Sequence, residues 1–470
     1  MPSTESPVVS TLRSYGGLFE SSGAVYSPGT AAEIRAIYDL ARAAGLTIAF
    51  QGSGYSFDAQ AMGRGIFVSL RRFAEISVDA ERAQVTVGAG AVWGDILVAT
   101  EAHGLVPAVM VSTSFATAGG TLAACCMSRF SPAAGKEGKW IARFTIVTPD
   151  GAVRQCSRTL HPDLFHAAVG GFGYFGAVVE ITYDLVRVGK GARVRTVVSR
   201  TPHARDLHAR LAVPSDGLPT ETVYAAFALS KEGIRTMYCR SAYIADEALV
   251  PMMPHQPELT SRLLTELVVQ LVPPVGQMFW NYAYDVYLEK NDTYVDTVHG
   301  YTFFMDGNVR ARSVGAKVGL RFRAIQQTFV IPLDGAKLDA FLAACKGEME
   351  AAGTPPAMID ALCLPADEPF LLSSTRGLPG YAVSVAFESL NDDKIDRVRR
   401  CLEHLSAVCS RMGGRVHLTK NVLARSADVR AMYADVLDEL FAVKNRYDPE
   451  GLLANDFIER LFSPATSPSR

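Results

Sequence analysis

Two glycine-rich runs and one pair of adjacent glycines are the first places where this sequence could do chemistry. Gly52-Ser53-Gly54-Tyr55-Ser56, followed by Phe57, comes directly after Leu46 to Phe50, an apolar run that reads as a short buried strand. Glycines with hydroxyls and successive amides after a strand can form an anion nest, and alone they also suit a plain turn. Gly171-Phe172-Gly173-Tyr174-Phe175-Gly176 has the G-x-G-x-x-G spacing, but in the order helix, glycines, strand. A dinucleotide fingerprint needs strand, glycines, helix, so that the helix N-terminus meets the pyrophosphate. An acidic residue is also missing about twenty positions on, where that fingerprint requires one. The Rossmann reading is rejected. The turn still lets backbone approach a ligand, because glycine has no Cβ. The pair, Gly119-Gly120, is followed by small residues and then by Gly135 and Gly138.

Other reactive side chains form no recognisable constellation. The eight cysteines make no C-x-x-C pair, and Cys401 with His404 stand on an expected helix without a second pair. They read as reduced, buried small hydrophobes, and no metal site is expected. His161 and His166 fall in a short helix and read as structural or surface. Asp306, in YTFFMDGN, is either a turn former or a site residue. Trp93, Trp140 and Trp280 are core or interface by default; Trp280, with Tyr282 and Tyr284, could also line a substrate cavity.

Those residues must be positioned by a chain of 470 residues, long enough for two or three domains at roughly 150 each. Hydrophobic residues are 49% and charged residues 20%, which excludes dominant disorder. Lys plus Arg is 46 against 48 Asp plus Glu, so there is no basic excess for nucleic acid. No signal peptide is read at the N-terminus, and no apolar run reaches the roughly 18 residues of a membrane span. A cytoplasmic location is expected. The apolar stretch 263–278 is a core helix or a surface helix that dips into lipid, so peripheral membrane contact stays open.

The first third alternates helix and strand. Thr30-Ala31-Ala32-Glu33 is a capping box before apolar residues at helical spacing, and Gly45 ends that helix. Strands are expected at Phe144 to Thr148 and Gly176 to Leu185, with a short helix at His161 to Val169. The middle mixes strands such as Thr328 to Ile331 with helices such as Ala336 to Cys345. Near the end, a strand RVHLTK finishing at Lys420 precedes one long helix from about Ser426 to Lys444.

The three glycine segments, in this order, resemble the vanillyl-alcohol-oxidase, or PCMH-type, family of FAD-binding oxidoreductases over about 24–187. The resemblance implies non-covalent FAD, because the family's flavin-tethering histidine is Tyr55 here. It assigns the cofactor to Gly52, Ser53, Gly54, Tyr55, Ser56, Phe57, Gly119, Gly120, Ala123, Gly173, Gly176 and Val178. RVHLTKN at 415–421 and YDPEGLLANDFIERL further resemble the decaprenylphosphoryl-β-D-ribose 2′-oxidase family. That likeness carries an active-site lysine onto Lys420, a glutamine onto Gln326 and an active-site cysteine position onto Ser384. The family's tyrosine before the lysine is His417 here, and its His-Gly pair is Met127-Ser128, so an altered substrate is expected. In an extended strand 417 and 420 point to opposite faces, so both reach one site only if the strand ends or bulges near Thr419.

The implied architecture is α+β: an FAD-binding domain of two α/β subdomains at 1–187, a substrate domain at 188–420 with an antiparallel sheet flanked by helices, and a C-terminal segment at 421–470 returning to the FAD domain. The implied function is oxidation of a secondary alcohol on a sugar or sugar-like small molecule, free or lipid-linked, by hydride transfer to flavin N5. Lys420 acts there as a charge stabiliser or as a base, with His417 and Gln326 as catalytic partners and Ser384 and Trp280 toward the substrate. The alternatives are an NADPH-driven C=C reductase like the sterol side-chain reductases, and a flavin-binding protein without turnover.

Overall fold

The computed structural model describes residues 7–201, 211, 221–230, 233–250, 293–317, 319, 323–354, 356–388 and 392–462. Three sheets organise it. The first holds β1 (Val8–Arg13), β2 (Glu20–Tyr26), β3 (Ile48–Gln51) and β4 (Ile66–Ser69), in the order β1-β2-β4-β3. The helix Ala31–Ala44 crosses between β2 and β3. Its Thr30 hydroxyl accepts from the Glu33 amide, and the Glu33 carboxylate accepts from Gly29 N–H at 2.6 Å. Ile34, Ile37, Tyr38 and Ala41 form its buried stripe. β3 and β4 run parallel, so the chain leaves β3 straight into the first glycine run.

The second sheet holds β5 (Ile76–Asp79), β6 (Gln84–Gly88), β7 (Leu105–Pro107), β8 (Ile141–Val147), β9 (Val153–Cys156) and β10 (Ala177–Arg187). Its order is β5-β6-β10-β8-β9, with β7 also on β10. The helix Pro162–Ala168, the glycine turn and then β10 follow the order read from sequence.

The third sheet is antiparallel: β11 (Arg193–Thr201), β12 (Glu221–Ser230), β13 (Gly233–Ile244), β14 (Thr293–Thr297), β15 (Ile325–Pro332), β16 (Met358–Leu364), β17 (Gly380–Phe387) and β18 (Arg415–His417). The order is β14-β11-β13-β12-β16-β17-β15-β18. The amphipathic helices Gly335–Ala352 and Asp392–Arg411 pack together on one face of β15. That leaves the opposite face, with alternate residues of each strand, for other use.

Two local expectations are corrected. The long helix after Ser426 is two helices, Ser426–Met432 and Leu437–Tyr447. The first stops where Tyr433 turns inward to donate to Val416 O at 2.8 Å. The strand expected to end at Lys420 ends at His417, and Leu418 and Thr419 form a turn. The chain's end then folds back: Leu453 bridges Ile48 of β3, and Arg460 pairs with buried Asp58 at 2.6 Å.

Candidate active site

The three glycine segments meet at a narrow groove of about 100 Å³. Gly52, Ser56 and Gly120 line it together with Gly119, Ala123, Gly173, Gly176 and Val178. Gly52, Ser56, Thr117, Gly120 and Thr419 are shared with a wider cavity of about 310 Å³. Ser53, Gly54, Tyr55 and Phe57 line that second cavity, and so do Gln326, Ser384, His417 and Lys420. Trp280 and the stretch 263–278 lie outside the described residues.

Two glycines are dictated by this wall. Gly54 has φ +80°, and a Cβ there would meet only Gln51 Nε2, at 3.9 Å. At Gly120 it would meet only Thr117 Oγ1, at 3.0 Å. In both places the cavity occupies the space of a side chain. Among the described residues no charged side chain lines the narrow groove, whose polar groups are amides, hydroxyls and carboxamides. Such a wall fits a flavin dinucleotide: an open backbone cradle with nothing to repel a diphosphate.

The opposite wall is the free face of the third sheet. Register places Ala226, Asp360, Ser384, Thr328 and His417 in one rung across β12, β16, β17, β15 and β18. Opposed residues share a face, which is why side chains so far apart in sequence meet. Thr328 and Ser384 hydroxyls are 2.8 Å apart, and Ser384 also hydrogen-bonds Asp360. Burial raises the Asp360 carboxyl above its ordinary value.

Because β18 ends at His417, both His417 and Lys420 reach the cavity. His417 is buried; its Nδ1 lies 2.9 Å from Ser374 Oγ, and Nε2 has no partner among the described residues. Burial, then the charges of Lys136 and Lys420, hold its pKa well below the ordinary histidine value. It is therefore neutral at pH 7. Lys136 itself is buried and paired with Asp367 at 3.2 Å. Lys420 Nζ stands 4.4 Å from the Phe57 ring centroid, and burial lowers its pKa against the opposing pull of Cys126 and Asp360.

The Lys420 backbone is tied on both sides. Gln60 Nε2 donates to Leu418 O and Lys420 O, both at 3.0 Å. Thr419 Oγ1 donates to Ala124 O. Asn421 Nδ2 donates to Phe57 O, its Oδ1 accepts from Gln326 N, and Val422 N donates to Asp58. Asp306 is a tether: it accepts from Thr113 Oγ1, Ser114 Oγ and Ser114 N, fixing a loop of the cavity wall.

Sequence reasoning missed three charged groups. Asp360 sits in MIDALCL, where alternation puts Ile359 and Ala361 on the packed face and the acid on the cavity face. That lone carboxylate in an apolar alternating run was a usable signal. Arg129 lines the cavity among aromatic rings. Glu137, 1% exposed, lies beneath the helix Ala118–Ala124. Its Oε1 accepts from Thr121 Oγ1 at 2.8 Å and from Tyr183 OH at 2.7 Å, and burial pushes its pKa up to about 8. Nothing local in the sequence marks either of these two.

Comparison with known proteins agrees with this geometry. Residues 22–157 match the family described as FAD binding domain, and residues 317–461 match the family described as D-arabinono-1,4-lactone oxidase. Cytokinin dehydrogenase 4 of Oryza sativa subsp. japonica is 34% identical over 182 residues, covering 36% of this chain and 34% of that protein. An uncharacterized oxidoreductase, ORF5 in the fasciation locus of Rhodococcoides fascians, is 30% identical over 170 residues, covering 36% and 39%. Cytokinin dehydrogenase 2 of Arabidopsis thaliana is 28% identical over 174 residues, covering 36% and 35%. The matched part spans little more than a third of these relatives' length. The N-terminal part is a PCMH-type FAD-binding domain within an α+β fold, and the cofactor is FAD. The narrower likeness to the decaprenylphosphoryl-ribose oxidases has no counterpart among the matches. Among the described residues no helix is long and apolar enough to cross a membrane.

Proposed function

For a chain that belongs to the FAD-binding, PCMH-type oxidoreductase superfamily, we propose the function of an FAD-dependent oxidoreductase acting on a CH–OH group of a sugar or sugar-like substrate. One observation carries the reading: a polar cluster of Lys420, His417, Ser384 and Asp360 lines a cavity whose opposite wall is the glycine cradle. The D-arabinono-1,4-lactone oxidase match, residues 317–461, covers all four of these residues, on β16, β17, β18 and the turn that follows β18. FAD, bound without a covalent tether at Tyr55, supplies the two-electron acceptor.

The chain's own groups then have separable tasks. Gln326, Ser384 and Asp360 hydrogen-bond and orient the substrate's hydroxyls, and orientation alone lowers the barrier. His417, kept neutral and steadied through Nδ1 by Ser374, receives the hydroxyl proton. Lys420 in its charged form stabilises negative charge that develops on the cofactor side of the cavity. The apolar remainder of the wall, Met110, Phe130 and Val309 among it, excludes water and would accept the hydrophobic part of a lipid-linked donor.

The test starts with the absorption spectrum of the purified protein before and after acid precipitation. Flavin released to the supernatant is expected; flavin retained in the pellet refutes the non-covalent assignment. Anaerobic mixing with sugars, alditols and aldonolactones should bleach the flavin, and Lys420→Ala should slow bleaching by at least roughly tenfold with FAD still bound. Bleaching by NADPH alone, or by amine donors and not by alcohols, would overturn the CH–OH reading.

A further inference from the structure

We propose that Arg129 is a recognition site for an anionic group on the substrate, a carboxylate or a phosphate, at the β12 side of the wide cavity. The proposal deepens the oxidoreductase reading and rests on it for the identity of the cavity as the substrate site. Arg129 lines that cavity. Its guanidinium carbon lies 3.7 Å from the Phe304 ring centroid, 4.8 Å from that of Tyr224 and 5.5 Å from that of Tyr301. Three rings hold the plane of the fork without using its hydrogen-bonding edge. The backbone is fixed as well, since the Thr222 hydroxyl donates to Arg129 O at 2.5 Å.

Among the described residues the charge has no close partner. Among the described residues its N–H groups make one long bond, Nη1 to Tyr301 O at 3.5 Å. Among the described residues no carboxylate forms an ion pair with it. Asp360 acts on it at longer range and already accepts from Ser384. A pre-oriented guanidinium on an apolar wall is expensive to leave unpaired, and its five donors match carboxylate or phosphate oxygens in bidentate fashion.

Position tells which end of the substrate this is. Tyr224, under Arg129, is on β12, and His417 is on β18, four strands away in the sheet. Four spacings of about 4.8 Å put the two backbones roughly 19 Å apart. The anion therefore sits across the cavity from His417 and Lys420, with Asp360 and Ser384 between. A donor that fills the cavity has its oxidised carbon at one end and its acid at the other.

Calorimetric titration of the FAD-loaded protein with benzoate, phenyl phosphate and benzamide tests this, three aromatic probes that differ in charge. At least one anion should bind ten times tighter than benzamide, benzoate if the site takes carboxylates and phenyl phosphate if it takes phosphates. Arg129→Met should reduce that preference to nearly one, while Arg129→Lys, which keeps the charge without the fork, should retain part of it. Equal binding of all three probes overturns the proposal. So does an anion preference that survives in Arg129→Met or that disappears in Lys420→Met instead. Flavin absorbance, read on each sample, reports separately on the oxidoreductase reading.

Discussion

Glu137→Gln should change how stability depends on pH, by an amount the burial of this carboxyl fixes. The Glu137 pKa rises from 4.5 in the unfolded chain to about 8 in the native protein, chiefly by burial. The sign follows from proton counting. Between those values the native state keeps a proton that the unfolded chain releases, so stability falls as pH rises. The full span, at about 1.36 kcal/mol per pH unit, is about 5 kcal/mol, and about 2.5 kcal/mol of it falls between pH 5 and pH 7. Glutamine keeps an Oε1 acceptor for Thr121 and Tyr183 but cannot titrate. Denaturant unfolding of both proteins at pH 5, 6, 7 and 8, followed by tryptophan fluorescence, measures the difference. All other titrating groups are common to the pair and cancel. Wild type should lose about 2.5 kcal/mol relative to the glutamine variant from pH 5 to 7. A difference that stays constant with pH, or that moves in favour of wild type, would refute a protonated Glu137.

Three further outcomes are expected. Gly120→Leu should fill the shared wall of the two cavities and abolish FAD retention, read as the visible-to-ultraviolet absorbance ratio, while the circular dichroism of the fold is kept. Asp58→Ala removes a fully buried acceptor of Ala59 N, Val422 N and Arg460, and should cost roughly 3–5 kcal/mol, seen as an earlier unfolding transition; an unchanged transition would sink the argument. Lys420, whose pKa is lowered by burial, loses its charge at a lower pH than an ordinary lysine, so flavin reduction should fall along an alkaline limb below the usual lysine value. In Lys420→Arg the charge persists and that limb should vanish from the pH–rate profile.

The parts of the fold that were legible in the sequence are those specified locally. The helix Ala31–Ala44 has its cap, stripe and stop within sixteen residues, and the glycine runs singled out in the sequence line one groove. The order helix, glycines, strand at 162–187 was likewise readable from periodicity alone. The break between Met432 and Leu437 was not, because it depends on Tyr433 reaching a carbonyl of β18. The rung of Asp360, Ser384, Thr328 and His417 depends on the pairing of four strands, and no window of sequence contains it. His417 and Lys420 share a cavity because the strand ends three residues earlier than its composition suggests. Arg129 was invisible for another reason: its surroundings, Tyr224, Tyr301 and Phe304, come from segments nearly a hundred residues or more away.

The placement of Lys420 also says how the two walls are coupled. Residues 417–422 leave the third sheet and, within six positions, hydrogen-bond two of the three glycine segments or the residues flanking them. Gln60 holds two carbonyls of this stretch, Ala124 at the end of the Gly119-Gly120 helix receives the Thr419 hydroxyl, and Phe57 and Asp58 of the first glycine run bind Asn421 and Val422. Asn421 spans both sides, since its Nδ2 donates to Phe57 O while its Oδ1 accepts from Gln326 N of β15. Displacing the first glycine run relative to the sheet would break these bonds at buried groups, each costing about 1–3 kcal/mol when left unpaired. The first glycine run and Lys420 are therefore tied into one hydrogen-bonded unit. Substitutions at Gln60, Asp58 or Asn421, none of them a reacting group, should disturb cofactor retention and flavin reduction together, whereas substitutions at Ser384 or Asp360, which lie on the sheet alone, should affect reduction with FAD held.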